Sequence, residues 1–133
     1  MTWGAFLALR AWARHVAATE QADVYLVGSA LSTIPPRDVD VAIVLPRAAF
    51  ERRFGPLPDT DDAHDDAHKR IWAETHKAKV QHYSDAQEAV VWAVHVDIRF
   101  TPDCWWADHD RVLIAARLGV PAASLSDDGE DRA

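Results

Sequence analysis

A single cysteine, Cys104, leaves no intrachain disulfide to be made. Nothing in the sequence therefore calls for an oxidising compartment, and the expected location is the cytoplasm. No run of residues is apolar over the roughly 20 positions that a membrane-spanning helix requires, so a membrane is not an expected partner. Internal repeats and low-complexity tracts are absent. Positive charge is scarce: 14 Lys and Arg stand against 21 Asp and Glu, for a formal net charge of −7. No broad basic groove for DNA or RNA is visible. At 133 residues the chain also has no room for a second substrate domain, since one soluble domain typically takes about 100–150 residues.

What is present points to an ordinary folded interior. Nearly half the residues are apolar, 49%, and six are Trp, which argues against wholesale disorder. The acid is clumped. Asp59, Asp61, Asp62, Asp65 and Asp66 share one short window without Lys or Arg, and Asp127, Asp128, Glu130 and Asp131 crowd the end against Arg132. The body outside these clusters is close to neutral and suits a local phosphate-bearing ligand. We read residues 1–125 as one domain and 126–133 as a disordered acidic tail.

Phe6, Leu9, Ala13 and Val16 recur at helical spacing with Arg10 and Arg14 on the other side, which predicts an amphipathic helix over 3–19. This segment has Arg and no acid before Glu20, as transit peptides do, but it runs without a linker into a strand and is read as part of the domain. That strand, 23–27, is short and buried and ends at Gly28, where the chain must turn. Ser29 to Thr33 suits one helical turn before Pro35-Pro36 extends the chain. From Asp38 to Leu45 the residues alternate, with Val39, Val41, Ile43 and Leu45 on one face and Asp38 and Asp40 on the other. A short helix over 47–54 closed by Gly55, a loop over 56–62 and an exposed helix over 63–79 follow. A turn at 84–86 leads to a strand over 90–101, on whose polar face His95, Asp97 and Arg99 lie. A last helix is predicted over 105–118, stopped by Gly119 and Pro121. The fold class is α+β (α/β), a mixed sheet flanked by helices.

The chemistry-bearing residues are few. Gly28-Ser29 directly after a buried strand offers backbone N–H groups and a hydroxyl to phosphate oxygens. Asp38 and Asp40 stand roughly 6–7 Å apart on one strand face, a spacing that lets both carboxylates reach one hard cation. Magnesium prefers a few carboxylates together with phosphate oxygens and water. Asp97 completes the set if its strand lies beside theirs, and two metals about 3.5–4 Å apart then suit an in-line displacement at phosphorus. Aspartate is disfavoured inside strands, so three of them among Val and Ile need a reason.

Val27-Gly28-Ser29, then Asp38-Val39-Asp40-Val41, then Val94-His95-Val96-Asp97-Ile98-Arg99 together resemble the nucleotidyltransferase domain of the DNA polymerase beta superfamily, over roughly residues 22–101. The resemblance implies that Gly28 and Ser29 hold a nucleoside triphosphate. It implies that Asp38 and Asp40 bind magnesium or manganese, and that Asp97 shares a metal and helps activate an acceptor hydroxyl. It implies nucleotidyl transfer with release of pyrophosphate, the acceptor being protein, RNA or a small molecule. Larger members hold base and acceptor with a helical second domain, so a protein partner or a second copy is expected to supply that side. Minimal members are often antitoxins paired with a helical toxin, which implies the alternative of a binding protein that neutralises a partner.

Other patterns carry less. His64-Asp-Asp-Ala-His68 has the histidine spacing of a zinc-protease helix, but Asp65 stands where glutamate is needed and no third ligand is evident. A solvated helix start is the simpler reading. His95 and Arg99 suit either a phosphate contact or a salt bridge beside Asp97. Lys77 and Lys79 read as helix-end charges, and Trp105-Trp106 as core or interface packing.

Overall fold

Residues 2–27, 38–58, 65–92, 94–106 and 110–117 are described by the computed structural model, with the side chain of Asp38 outside them. The strands that alternate most clearly form the middle of the sheet. β1 (Asp23–Val27) and β2 (Asp38–Leu45) pair antiparallel, with Val24 opposite Ile43 and Val27 opposite Asp40. β3 (His95–Pro102) lies parallel to β2 on its other side. β4 (Arg111–Ala115) pairs antiparallel with β1, giving the order β3-β2-β1-β4. The fold is α+β: among the described residues, a mixed four-stranded sheet has three helices against it.

Alternation decides which face the helices cover. Val24, Leu26, Val39, Val41, Ile43, Val96, Ile98 and Phe100 share one face and pack against α1 (Trp3–Glu20), α2 (Arg47–Phe54) and α3 (Asp66–Ala89). α1 contributes Leu9, Trp12, Ala13, Val16 and Ala17 at helical spacing, all buried. Its burial makes it a structural part of the domain, as the sequence suggests. It begins at Thr2, whose hydroxyl accepts from the Ala5 N–H at 3.0 Å, which satisfies one of the otherwise free first-turn donors. α2 delivers Phe50 and Phe54 to the core and stops at Gly55 with φ +105°, a conformation that a side chain resists. The opposite face has only a small apolar cluster among the described residues: Val27, Ala42 and Val44, with Tyr25 and Trp106 packed against them.

A polar node ties the three helices together. Glu20 at the end of α1 accepts from the Arg53 guanidinium of α2 and lies 3.5 Å from Nε2 of His82 on α3, an ion-pair distance. Arg53 also sits 5.0 Å from the ring centres of Phe54 and Phe100, a cation–π arrangement that suits a partly desolvated guanidinium.

Two expected elements are corrected. The strand expected over 90–101 begins only at His95, because α3 continues well past the expected end at 79 and the turn expected at 84–86 is helical. Ile71, Ala78 and Ala86 hold the helix on the sheet at helical intervals. The chain then reverses through Val91 (φ 49°) and Trp92 (φ 58°), left-handed conformations in which a β-branched residue is a rare outlier. Gln87 fixes the reversal from below. It is buried, donates from Nε2 to the Val94 carbonyl at 2.9 Å and accepts the Val96 N–H at 2.6 Å. The helix expected over 105–118 is a 3-10 turn, Asp103–Trp106, followed by β4. The run Val112-Leu113-Ile114 is too short for periodicity to tell strand from helix, and the free edge of β1 settles it by pairing. The turn expected over 29–33, most of the loop over 56–62 and the tail over 126–133 lie outside the described residues.

Replacing Gln87 with Leu leaves the Val96 N–H and the Val94 carbonyl without their partner. It is expected to lower the free energy of unfolding by about 1–3 kcal/mol, read as a fall in denaturation midpoint at unchanged slope. Glu51 supplies a second check. Its carboxylate accepts the Leu57 N–H at 3.1 Å and pairs with Arg47 at 3.0 Å, and these contacts, the backbone bond first, hold its pKa below the ordinary glutamate value. The folded value lies below the unfolded one, so this contribution is present above the unfolded pKa and fades as pH falls through the folded one. A side-chain NMR titration is expected to find the Glu51 midpoint below that of a short peptide. Arg47→Ala should raise it only part of the way, because the Leu57 bond remains.

Candidate functional site

Register brings the acidic residues together. Asp40 on β2 is the direct partner of Asp97 on β3, and Asp38 is the partner of His95. Partners on adjacent parallel strands present their side chains on the same face, with strand axes about 4.7–4.9 Å apart. Asp40 and Asp97 are therefore neighbours on the face away from the helices, both partly exposed. The row continues across the sheet: Val27 is opposite Asp40 on β1, and Arg111 is opposite Val27 on β4. Two carboxylates, one apolar side chain and one guanidinium thus cross the sheet in a line, with Arg111 roughly 10 Å from Asp40 by strand spacing.

Cations surround the outer carboxylate. Lys79 Nζ lies 3.7 Å from Oδ1 of Asp97, and an Arg99 guanidinium nitrogen lies 3.8 Å from Oδ2. Asp97 is 41% exposed, so these contacts orient it loosely and add little to stability. At the far end of the row the Arg111 guanidinium sits 4.6 Å from the Tyr25 ring centre, which holds it over the same face. Trp106 donates from its indole N–H to the Thr101 hydroxyl at 2.6 Å, closing the apolar patch beside the acids.

A cleft of about 860 Å³ opens along the outer side of β3, between α3 and the 3-10 turn. Asp97, Lys79 and Arg99 line it together with Trp72 and Trp105. Its size is within the usual range for small-molecule sites. Trp72 is 67% exposed and stacks on His76 with ring centres 5.1 Å apart.

Of the residues singled out in the sequence, Asp40 and Asp97 are side by side. Asp38 opens β2, and its side chain lies outside the described residues, as do Gly28 and Ser29, which follow Val27 in the chain. Among the described residues no group of three His, Cys, Asp or Glu side chains is close enough to hold a metal ion. Hard oxygen donors on a solvent-facing strand pair nevertheless match what magnesium takes from a protein before phosphate oxygens join it. Asp65 and His68, which share the zinc-protease spacing with His64, stand at the start of α3. Asp65 caps α3, its carboxylate accepting the Ala67 N–H at 2.9 Å, and His68 lines the cleft. His64 lies outside the described residues.

Two members of the arrangement are hidden in the sequence. Arg111 falls inside the helix expected over 105–118, which conceals its register with the acidic row. Lys79 stands at the expected end of a helix, whereas it lies in mid-helix against Asp97. A longer α3 was the signal that would have found Lys79. No protein-family model matches the chain, and neither a curated protein nor a solved structure matches it.

Like charges directly opposite one another destabilise a sheet. In metal-free buffer Asp40→Asn is therefore expected to stabilise the fold by about 0.2–1 kcal/mol, read by thermal denaturation. Asp97→Asn removes the same repulsion but also two cationic contacts, so its gain should be smaller. An equal or larger gain for Asp97→Asn would show that Lys79 and Arg99 do not offset the repulsion.

Proposed function

We propose that the protein is a magnesium-dependent nucleotidyltransferase that moves a nucleoside monophosphate from a nucleoside triphosphate to a hydroxyl acceptor. The observation that carries this reading is the register of Asp40 with Asp97 on one open sheet face. It gives the sequence resemblance a physical counterpart: the two carboxylates are far apart in the chain and adjacent across the sheet. Asp38, Asp40 and Asp97 would hold magnesium or manganese. The metal would supply charge neutralisation at the phosphates and lower the cost of ionising the acceptor hydroxyl.

The protein's own groups account for the remaining work. Gly28 and Ser29, next in the chain after Val27, are the proposed cradle for the triphosphate. Arg111 lies at the end of the row on the β4 side and is the proposed counter-charge for phosphate oxygens displaced from the acids. Asp97 faces the cleft and accepts the acceptor's proton at a carboxylate oxygen. The acceptor oxygen then forms its bond to the α-phosphorus as the bond to pyrophosphate breaks, and pyrophosphate departs with its electron pair. Lys79 and Arg99 position Asp97 from two sides. A reducing compartment such as the cytoplasm suits the exposed thiol of Cys104.

A second reading has its own support. Trp72, Trp92 and Trp105 are all exposed, and exposed aromatics of this size often mark a binding surface. In that reading the fold is an antitoxin-like protein that neutralises a partner, with or without nucleotide transfer.

Incubation with α-labelled nucleoside triphosphate, magnesium and candidate protein or RNA acceptors separates the two. Label transfer is expected for the native protein and is expected to fall by at least a hundredfold in Asp40→Asn and Asp97→Asn, on the order of losing one essential charge in the transition state. Transfer that survives both substitutions would refute the assignment. Magnesium-dependent triphosphate binding without transfer would favour the binding-protein reading.

A further inference from the structure

α3 turns one line of side chains toward the cleft. Lys69, Trp72, His76 and Lys79 all line it, at intervals of three and four residues that keep them on one helix face. A lysine therefore stands at each end of an aromatic pair, the two lysines about 15 Å apart along the helix axis at 1.5 Å per residue. The pair itself is ordered, with the Trp72 and His76 rings 5.1 Å apart and 11° from parallel. Trp72 is nevertheless 67% exposed, so the indole face that His76 does not cover is open to a further ring.

The opposite wall is the 3-10 turn. Trp105 is 48% exposed, and its ring is braced 6.0 Å from that of the fully buried Phe50. Ile71, Ile98 and Phe100 close the floor and are nearly inaccessible, so an occupant of the cleft is met by the side chains of its walls. Lys69, Lys79 and Arg99 are set there against Asp97, the one carboxylate among the described lining residues. The Lys79 and Arg99 nitrogens stay 3.7 and 3.8 Å from Asp97, beyond hydrogen-bonding distance, so Asp97 does not consume their N–H donors. A chain of net charge −7 thus presents a local excess of positive charge between two tryptophans.

We propose that the cleft binds a single nucleotide, its base stacked on Trp72 facing the Trp105 wall and its phosphate held by Lys79 and Arg99, with Lys69 adding to the attraction. Tryptophan stacking suits any base, because each has a π-face, and a phosphate takes charge-assisted bonds from ammonium and guanidinium donors. Three cations against one carboxylate neutralise one nucleotide but not a run of phosphates, and a cleft of about 860 Å³ has the size of a small-molecule site. This is not the triphosphate corner expected at Gly28 and Ser29. The cleft follows β3, whereas β1, which leads to Gly28, is two strands away. Asp97 borders both sites, so the bound nucleotide stands on the acceptor side of the transfer proposed above; that consequence rests on the proposed function, whereas the binding does not.

The probe is adenosine 5′-monophosphate, titrated into the full chain in EDTA and followed by tryptophan fluorescence and indole N–H NMR. Saturable binding is expected, with the Trp72 and Trp105 signals shifted most. Trp72→Ala should weaken it at least about fivefold, the low end of what one base–aromatic stack contributes, and Trp72→Phe should recover most of that loss. Trp3→Ala, at an exposed position outside the cleft, should change nothing. Lys79→Gln should weaken the monophosphate several-fold and leave adenosine, which has no phosphate, unaffected. Asp40→Asn should bind the monophosphate at least as well as the native chain while losing nucleotidyl transfer, so either reading can fail without the other. Hexaadenylate should bind no more than about tenfold more tightly than the monophosphate, since the cleft takes one nucleotide at a time; a larger gain would mark a nucleic-acid groove and overturn the proposal. Equal affinity in Trp72→Ala, equal binding of ribose 5-phosphate, loss of binding in Asp40→Asn, which would put the ligand at the metal site, or no shift at millimolar monophosphate would also overturn it.

Discussion

The parallel pairing of β2 with β3 is the constraint on which the rest depends. It sets Asp40 beside Asp97, turns Val39, Val41, Val96 and Ile98 to the same side, and thereby decides which face the three helices must cover. A slip of one residue in that register would send every side chain of β3 to the opposite face. The acids would then point into the helical layer, where an unpaired carboxylate is costly, and Ile98 and Phe100 would face water. The site and the core are held by one choice of register, so neither can drift without the other.

Gln87 guards that register at its start. Its two bonds reach Val94 and Val96 from α3, so the end of the helix measures where β3 begins. The left-handed turn through Val91 and Trp92 follows from the same arrangement. The helix runs as far as Gln87 can reach, and the chain must then reverse within a few residues with no glycine to ease it.

Much of this was legible in the sequence, and the failures have identifiable causes. β1, β2, α1 and α2 stand close to their expected bounds, because long alternation, helical spacing and Gly55 are strong local signals. The α+β class followed from them. α3 outran its expected end because its anchors, Ile71, Ala78 and Ala86, are spread thinly along a polar helix, while Val90, Val91 and Trp92 have the residue types of a strand. β4 was concealed because five residues of Arg-Val-Leu-Ile-Ala suit either state, and the free edge of β1 that selects the strand is a property of the whole sheet. The acidic residues were visible as types and positions. Their adjacency was not, since register between strands distant in sequence leaves no local trace. Arg111 and Lys79 were lost with the elements that carry them.

The connection between β2 and β3 has a kinetic meaning. Parallel strands need a long crossover, and here it comprises α2, α3 and the segments that join them. Closing a loop of that length must be accomplished before the contacts it enables can repay its entropy. During synthesis β1 and β2 can meet early, but Asp40 has no carboxylate across from it on a neighbouring strand until β3 has emerged and docked. The pairing of Asp40 with Asp97 is therefore the product of a long-range step of folding, and a chain that has not completed that step presents β2 as a temporary edge.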